Sequence, residues 1–236
     1  MNHQKFQNNK MLKFKLSFFF NFLLFLCVSL NCVCVFGEVR FRSSSDSPEI
    51  RVEIVTDSLY MRSINESDFE MYNELMGNSI TMEKYATGVR KSDVIKFRVN
   101  QFDRFWKQGN PFSGFAVFLR EKDLKDEGIF VGHIALDEGD DIPEEAELAY
   151  ILDHRFWRKR LGTEMAKAIM HEYVPELVKR NYKLRDSTVF KRVVATARPD
   201  NPGSVKILEN LGFELVKEFE KFGKLRKLYS KSVDQD

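Results

Sequence analysis

"HRFWRKRLGTEMAKAI", residues 154–169, is the stretch on which the reading of this chain turns. Arg158, Lys159 and Arg160 lead through Leu161 to a small residue, Gly162, and then to Thr163 and Glu164. From there Leu161, Met165, Ile169, Tyr173 and Leu177 recur every fourth residue, which marks one apolar face of a helix. Pro175 is expected to kink or end that helix, because its ring opposes the carbonyl of His171. The stretch just upstream, "AELAYILD", reads as a strand. A strand therefore feeds a helix N-terminus whose first N–H groups lack intrahelical partners and carry the positive end of the helix dipole. Phosphate oxygens suit such a place, and the three cations add charge-assisted contacts. Gly162 would allow close approach to the backbone. A basic, solvated loop accounts for the same residues, so the motif needs a companion.

The companion lies at "RVVATARPDNPGSVKILENLGF", residues 192–213, again a strand followed by a helix. Asn201 is the N-cap, Pro202 takes the first helical position, and Gly212 takes the left-handed closing position. Ser204 adds a hydroxyl one turn in. Ordinary capping explains Asn201 when this motif is taken alone.

Working outward, "RVEIVTDSLYMRSI" reads as a strand with a turn at Thr56-Asp57-Ser58. Asn65 caps a helix with Phe69, Tyr72, Leu75 and Met76 on one face, closed by Gly77. Ser92 caps another, with Ile95, Val99, Phe102, Phe105 and Trp106 on one face and Gly109 at its end. "GFAVFLRE", "IFVGHIALDE" and "AELAYILD" form an antiparallel meander joined by polar turns. "FELVKEFEKF" and "KLYSKSV" finish as a hairpin. The order is one strand, two helices, three strands, helix, strand, helix, two strands. Such an order packs as an α/β domain, a central mixed, mostly antiparallel sheet flanked by helices.

Taken together, the two strand-to-helix motifs resemble those of the GNAT superfamily of acyl-CoA-dependent N-acyltransferases. The similarity is to its ribosomal-protein N-terminal acetyltransferase branch. "LYMRSINESDFEMYNELM" resembles that branch's opening, "AELAYILDHRFWRKRLGTEMAKAI" its pyrophosphate loop, and "NPGSVKILENLGFELV" its second signature; roughly residues 55–232 are covered. The resemblance implies a GNAT-like fold, acetyl-CoA as co-substrate and a primary amine, either a protein N-terminus or a small amine, as acceptor. It implies that Arg158, Lys159, Arg160, Leu161, Gly162 and Thr163 bind the pyrophosphate. Ile151 and Leu152 would pair with the pantetheine arm, Asn201 would hydrogen-bond it, and Ser204 would protonate the leaving thiolate. Two departures stand out: Arg160 occupies a usual glycine position, and Leu208 stands where many members carry a tyrosine acid. Glu147, a carboxylate in the otherwise apolar "AELAYIL", is the candidate base. "DEGDDIPEE" is either a solvated hairpin loop or an attractor of a cationic acceptor. A non-catalytic acyl-CoA-binding or partner-binding protein, or a tethered adaptor, is the alternative.

The bounds agree with a globular domain. The chain has 236 residues, 43% hydrophobic and 31% charged, with a net charge of +2, which does not point to nucleic acid. All three cysteines, Cys27, Cys32 and Cys34, lie in the N-terminal stretch. The remainder therefore has no disulfide framework, thiolate zinc site or catalytic cysteine, and the four histidines show no metal-ligand spacing, so no metal is expected. Lys10, Lys13 and Lys15 precede an apolar run from Leu16 to about Gly37, the layout of a signal peptide or membrane anchor. A mis-called start is the third reading. Residues 1–37 are thus a signal or anchor, 38–50 a Ser-rich linker, and 51–236 the folded domain. The lysines place that domain outside, secreted or anchored through residues 16–37 if the segment is used, and in the cytoplasm otherwise.

Overall fold

The computed structural model describes residues 37–120, 128–139 and 142–234. The apolar segment before Gly37 and most of the first meander turn lie outside them. Among the described residues no helix is long and apolar enough to cross a membrane.

Among the described residues nine strands form one sheet: β1 (Gly37–Ser43), β2 (Ile50–Thr56), β3 (Leu59–Ser63), β4 (Gly114–Leu119), β5 (Ile129–Glu138), β6 (Glu145–Leu152), β7 (Arg192–Ala197), β8 (Glu214–Lys221) and β9 (Lys224–Ser232). Their spatial order is β1-β2-β3-β4-β5-β6-β7-β9-β8. The pairs are antiparallel except β6–β7, which is parallel. The helices are α1 (Phe69–Gly77), α2 (Ser79–Met82), α3 (Ser92–Lys107), α4 (Leu161–Ala168), α5 (Val174–Lys179) and α6 (Pro202–Asn210).

The mixed, mostly antiparallel sheet and its meander follow from alternation. Along β4, Phe115 and Val117 face one apolar layer, with Met165, Ile169, Tyr173 and Leu177. Ala116 and Phe118 face the other, with Tyr72, Ile95, Val99 and Phe102. Burying both faces of the central strands makes the sheet the spine of the domain.

Several expectations are corrected. Part of the Ser-rich "linker" is a strand: β1 pairs with β2 from Gly37↔Thr56 to Ser43↔Ile50. Its Val39 and Phe41 pack on the core, and Phe41 stacks on Tyr173 and Tyr182 with the Arg180 guanidinium 4.1 Å over its ring. Serine-rich composition after Phe41 masks the period-two pattern of "EVRFR". The single strand with a turn at 56–58 is a hairpin of β2 and β3. Lys91, not Ser92, is the cap residue of α3, and Phe105 is only half-buried on it. Of the two outcomes expected at Pro175, a kink or an end, the helix does not end; its regular α form is interrupted just before the proline. A π-helical turn, Ile169–Tyr173, lets the Val174 N–H reach back to the Ile169 carbonyl, and the chain continues as α5 with Pro175 in its first turn. Widening by one residue lets proline follow without a clash. The short helix α2, and the insertion of β9 between β7 and β8, were not foreseen.

Candidate functional site

The sheet opens at its one parallel junction. β6 and β7 pair only through Glu145↔Arg192, Ala146↔Val193 and Glu147↔Val194. Beyond Glu147 the strands diverge, although β6 stays paired to β5 as far as Leu152. The result is a cleft of about 1200 Å³ whose walls include Ala149, Ile151, Thr196, Ala197 and the starts of α4 and α6. Of the residues singled out in the sequence, Glu147, Ile151, Leu152, Arg158, Arg160, Gly162, Thr163, Asn201 and Ser204 all line it. Leu161 does not, being buried in the core, and Lys159 lies outside with its ammonium 5.1 Å from the Phe156 ring. Leu208, at the usual tyrosine position, is 1% exposed.

At one end stands the mouth of α4. Asp153 caps the preceding 3-10 turn and holds Arg155 through both carboxylate oxygens. Arg155 is therefore spent locally. The Trp157 indole N–H takes the Leu152 carbonyl at 2.7 Å and seals the end of β6. Arg158, Lys159 and Arg160 are exposed and form no ion pair with a described residue. Arg160 is the N-cap of α4 and supplies no side-chain cap, so the first turn of the helix is open toward the cleft. Glu164 ties this turn to the β2–β3 hairpin, accepting from Thr56 Oγ1 at 2.7 Å and Ser58 N at 2.8 Å.

The loop positions needing a left-handed backbone are Arg158 (φ 61°) and Arg160 (φ 63°), both with a side chain. Gly162 has ordinary helical geometry. A Cβ there would meet Ile207 Cδ1 at 3.3 Å, so its smallness serves the packing of α4 on α6 as well as access to the backbone.

α6 delivers the second motif. Asn201 Oδ1 accepts from Ser204 N at 3.3 Å, which leaves the Asn201 amide nitrogen available to the cleft. The sequence reading missed Tyr150. Its hydroxyl donates to the Ser204 carbonyl at 3.4 Å. Burial pushes its pKa to about 12, a rise that the neighbouring Ser204 side chain only partly offsets, so the phenol keeps its proton at neutral pH. Tyr150 and Glu147, three apart, fall on opposite faces of β6, so alternation gave no signal that both would border the cleft where the sheet splits. Nothing local said that Tyr150 would meet α6.

At the other end, Glu147 sits half-buried at the last β6–β7 pair, where the split begins. The loop after α2 closes this end: Lys84 donates to the Asp200 carbonyl at 2.6 Å and Arg198 to the Glu83 carbonyl at 3.3 Å. Burial raises the Tyr85 phenol's pKa, helped by the Glu147 charge. His133 also lines this end, but burial, with the Arg98 charge behind it, takes its pKa down to about 3. It is a neutral partner of the Tyr72 hydroxyl, 3.0 Å away. Asp137 is held by Arg98. No cluster of metal-ligating side chains occurs among the described residues.

Comparison with known proteins agrees with this architecture. Residues 58–214 match the family model described as an acetyltransferase (GNAT) domain. A GNAT-family acetyltransferase from Bacillus anthracis is similar at 20% identity and TM-score 0.58, over 76% of this chain and 98% of that one. The microcin C7 self-immunity acetyltransferase MccE, solved with acetyl-CoA and AMP, is 19% identical with TM-score 0.56, over 75% and 94%. The Salmonella typhimurium enzyme that modifies the N-terminal serine of ribosomal protein L7/L12 is 17% identical with TM-score 0.56, over 76% and 97%. The two strand-to-helix motifs, the split sheet between them and a family match spanning both have one conclusion: the chain belongs to the GNAT acetyltransferase family.

Proposed function

We propose that this protein is an acetyl-CoA-dependent N-acetyltransferase acting on a primary amine. The observation that carries the proposal is the continuity of the cleft. An uncapped helix mouth with unpaired cations, an open strand edge, a protonated phenol and a carboxylate follow one another along one wall system. Acetyl-CoA, when bound, would supply the activated acyl group and a thiol leaving group. The residues present fit it. Arg158, Arg160 and the open N–H groups of Leu161, Gly162 and Thr163 would hold the pyrophosphate. The β6 edge up to Ile151 and the Asn201 amide would hold the pantetheine arm.

At the reacting end Glu147 takes a proton from the incoming ammonium or amine, directly or through water. The new C–N bond forms as the C–S bond breaks. Tyr150, or Ser204 beside it, returns a proton to the departing sulfur. No protein thiol or metal enters this balance. Acetyl-CoA is expected to bind at micromolar Kd, about −8 kcal/mol. Calorimetry, together with thiol release in the presence of an amine panel, tests the proposal. No binding at millimolar acetyl-CoA would refute the co-substrate, and tight binding without transfer to any amine would turn the protein into a binding module.

A further inference from the structure

The acceptor end of the cleft holds a buried charge that the fold leaves unsatisfied. Arg226, on β9, is 7% exposed. Its Nε donates to Thr196 Oγ1 at 3.2 Å, and its Nη2 donates to Thr196 Oγ1 at 2.8 Å and to the Thr196 carbonyl at 3.2 Å. Its Nη1 is buried with no hydrogen-bond partner, the one such side-chain atom among the described residues. Folded proteins seldom leave such a donor idle, because it forfeits hydration and gains nothing in return.

Its surroundings say what would answer it. Arg226 lies in the cleft wall with Glu147, Tyr85 and Arg90. The charges of Glu147, Arg90, Arg98 and Arg226 all act on the Tyr85 phenol, so these groups share one end of the cleft. Arg98 is neutralised by Asp137. Arg90 forms no ion pair with a described residue. Among the described residues of this end, Arg198 is held by Asp200 and Lys84 is offset by Glu83, which leaves Arg226 and Arg90 as two cations beside Glu147. A polyamine would add positive charge to an end already in excess of it. An acceptor with its own carboxylate would neutralise the excess and, as the guanidinium turns toward the cleft that Arg226 lines, partner the idle Nη1.

We propose that the acceptor is a small amine bearing a carboxylate, of the amino-acid class, with Arg226 and Arg90 holding the carboxylate while Glu147 faces the amine. The proposal rests on the N-acetyltransferase reading. A guanidinium–carboxylate contact in a water-poor site discriminates strongly against an acceptor lacking the acid, since the guanidinium is then left bare.

The test uses the full-length protein with acetyl-CoA and matched pairs: the common amino acids, each against its own carboxamide. Because an amide's amine is less basic, kcat/KM is referred to the unprotonated amine. The wild type is expected to prefer at least one free acid over its amide by about 10- to 100-fold. Arg226→Gln should abolish that preference while leaving the acetyl-CoA Kd within a few-fold, and Arg226→Lys should retain part of it. Should Arg226 variants fail to fold, Arg90→Gln, on a half-exposed loop, is expected to weaken the same preference several-fold. Equal rates for acids and amides in the wild type would overturn the proposal while leaving the transferase reading intact. So would faster transfer to polyamines or to peptide N-termini. Acetyl-CoA binding without transfer to any acceptor would instead overturn the transferase reading and this proposal with it.

Discussion

Replacing Arg160 by glycine should stabilise the protein even though it removes a charged side chain. Arg160 is exposed, forms no ion pair with a described residue, and supplies no cap to α4. Its φ of 63° is therefore a cost that no ion pair or side-chain cap with a described residue repays. A side-chain-bearing residue in the left-handed region is about 1–2 kcal/mol less favourable than in the right-handed one. Glycine relieves that but loses about 0.5–1 kcal/mol more conformational entropy on folding. The net expectation is about 0.5–1 kcal/mol of stabilisation, a rise of about 1–4 °C in Tm for a domain of this size. Arg158, at φ 61°, should behave likewise. The two sites are neighbours, so their effects need not add. Arg160→Ala is the control, because it removes the guanidinium but keeps the Cβ. Thermal and denaturant unfolding of wild type, Arg160→Gly and Arg160→Ala, read alongside acetyl-CoA affinity, separate strain from charge. Glycine should be the more stable of the two variants, and both should bind acetyl-CoA a few-fold more weakly. Glycine no more stable than alanine would refute the strain argument. Unchanged affinity in both would remove Arg160 from phosphate binding.

Glu147→Gln should lower kcat by about 10²- to 10⁴-fold while the acetyl-CoA Kd stays within a few-fold, as stopped-assay kinetics and calorimetry would show. Tyr150→Phe should also lower kcat; because the phenol's pKa lies at about 12, Tyr150 should add no descending limb to the wild-type pH–rate profile below about pH 11. His133, held neutral in the fold down to about pH 3, binds a proton more readily when unfolded, so stability should fall as pH drops from about 6.5 toward 3. His133→Gln should flatten that acid slope in unfolding measurements at pH 7 and pH 4.5. A chain beginning at Glu49 loses β1 and with it the Phe41 contacts on Tyr173 and Tyr182, which should cost about 2–4 kcal/mol relative to one beginning at Gly37.

What could be read without the fold was whatever nearest neighbours along the chain decide. Asn201, Pro202 and Gly212 punctuate α6 by local hydrogen bonding and dihedral preference, and the structure bears out all three: the Asn201 cap, Pro202 at the helix start, and Gly212 at φ 78°. Asn65 likewise forms a full capping box with Asp68. The fourth-residue repeat from Leu161 to Leu177 is buried at every position. A helix period and a strand period are local properties, so they survive in one dimension. Glu147, Asn201 and Ser204, which line the cleft, stood out for the same reason, as polar residues at the ends or in the apolar runs of recognisable elements.

Tertiary structure decided the rest. That β9 enters between β7 and β8 depends on pairings between residues far apart in the chain, from Arg192↔Ser232 to Ala197↔Lys227. The parting of β6 and β7 after Glu147 is a property of two strands and the layers packed on them. Tyr150 acquires its raised pKa only when α6 buries it, and Arg226 its idle nitrogen only when β9 lies against Thr196. The left-handed turns fall on Arg158 and Arg160 because the chain must pass from β6 into α4 within a few residues, and that geometric demand overrides the preference of the side chains. Periodicity and caps are settled by bonds between near neighbours; pairing, burial and strain are settled by which distant surfaces meet.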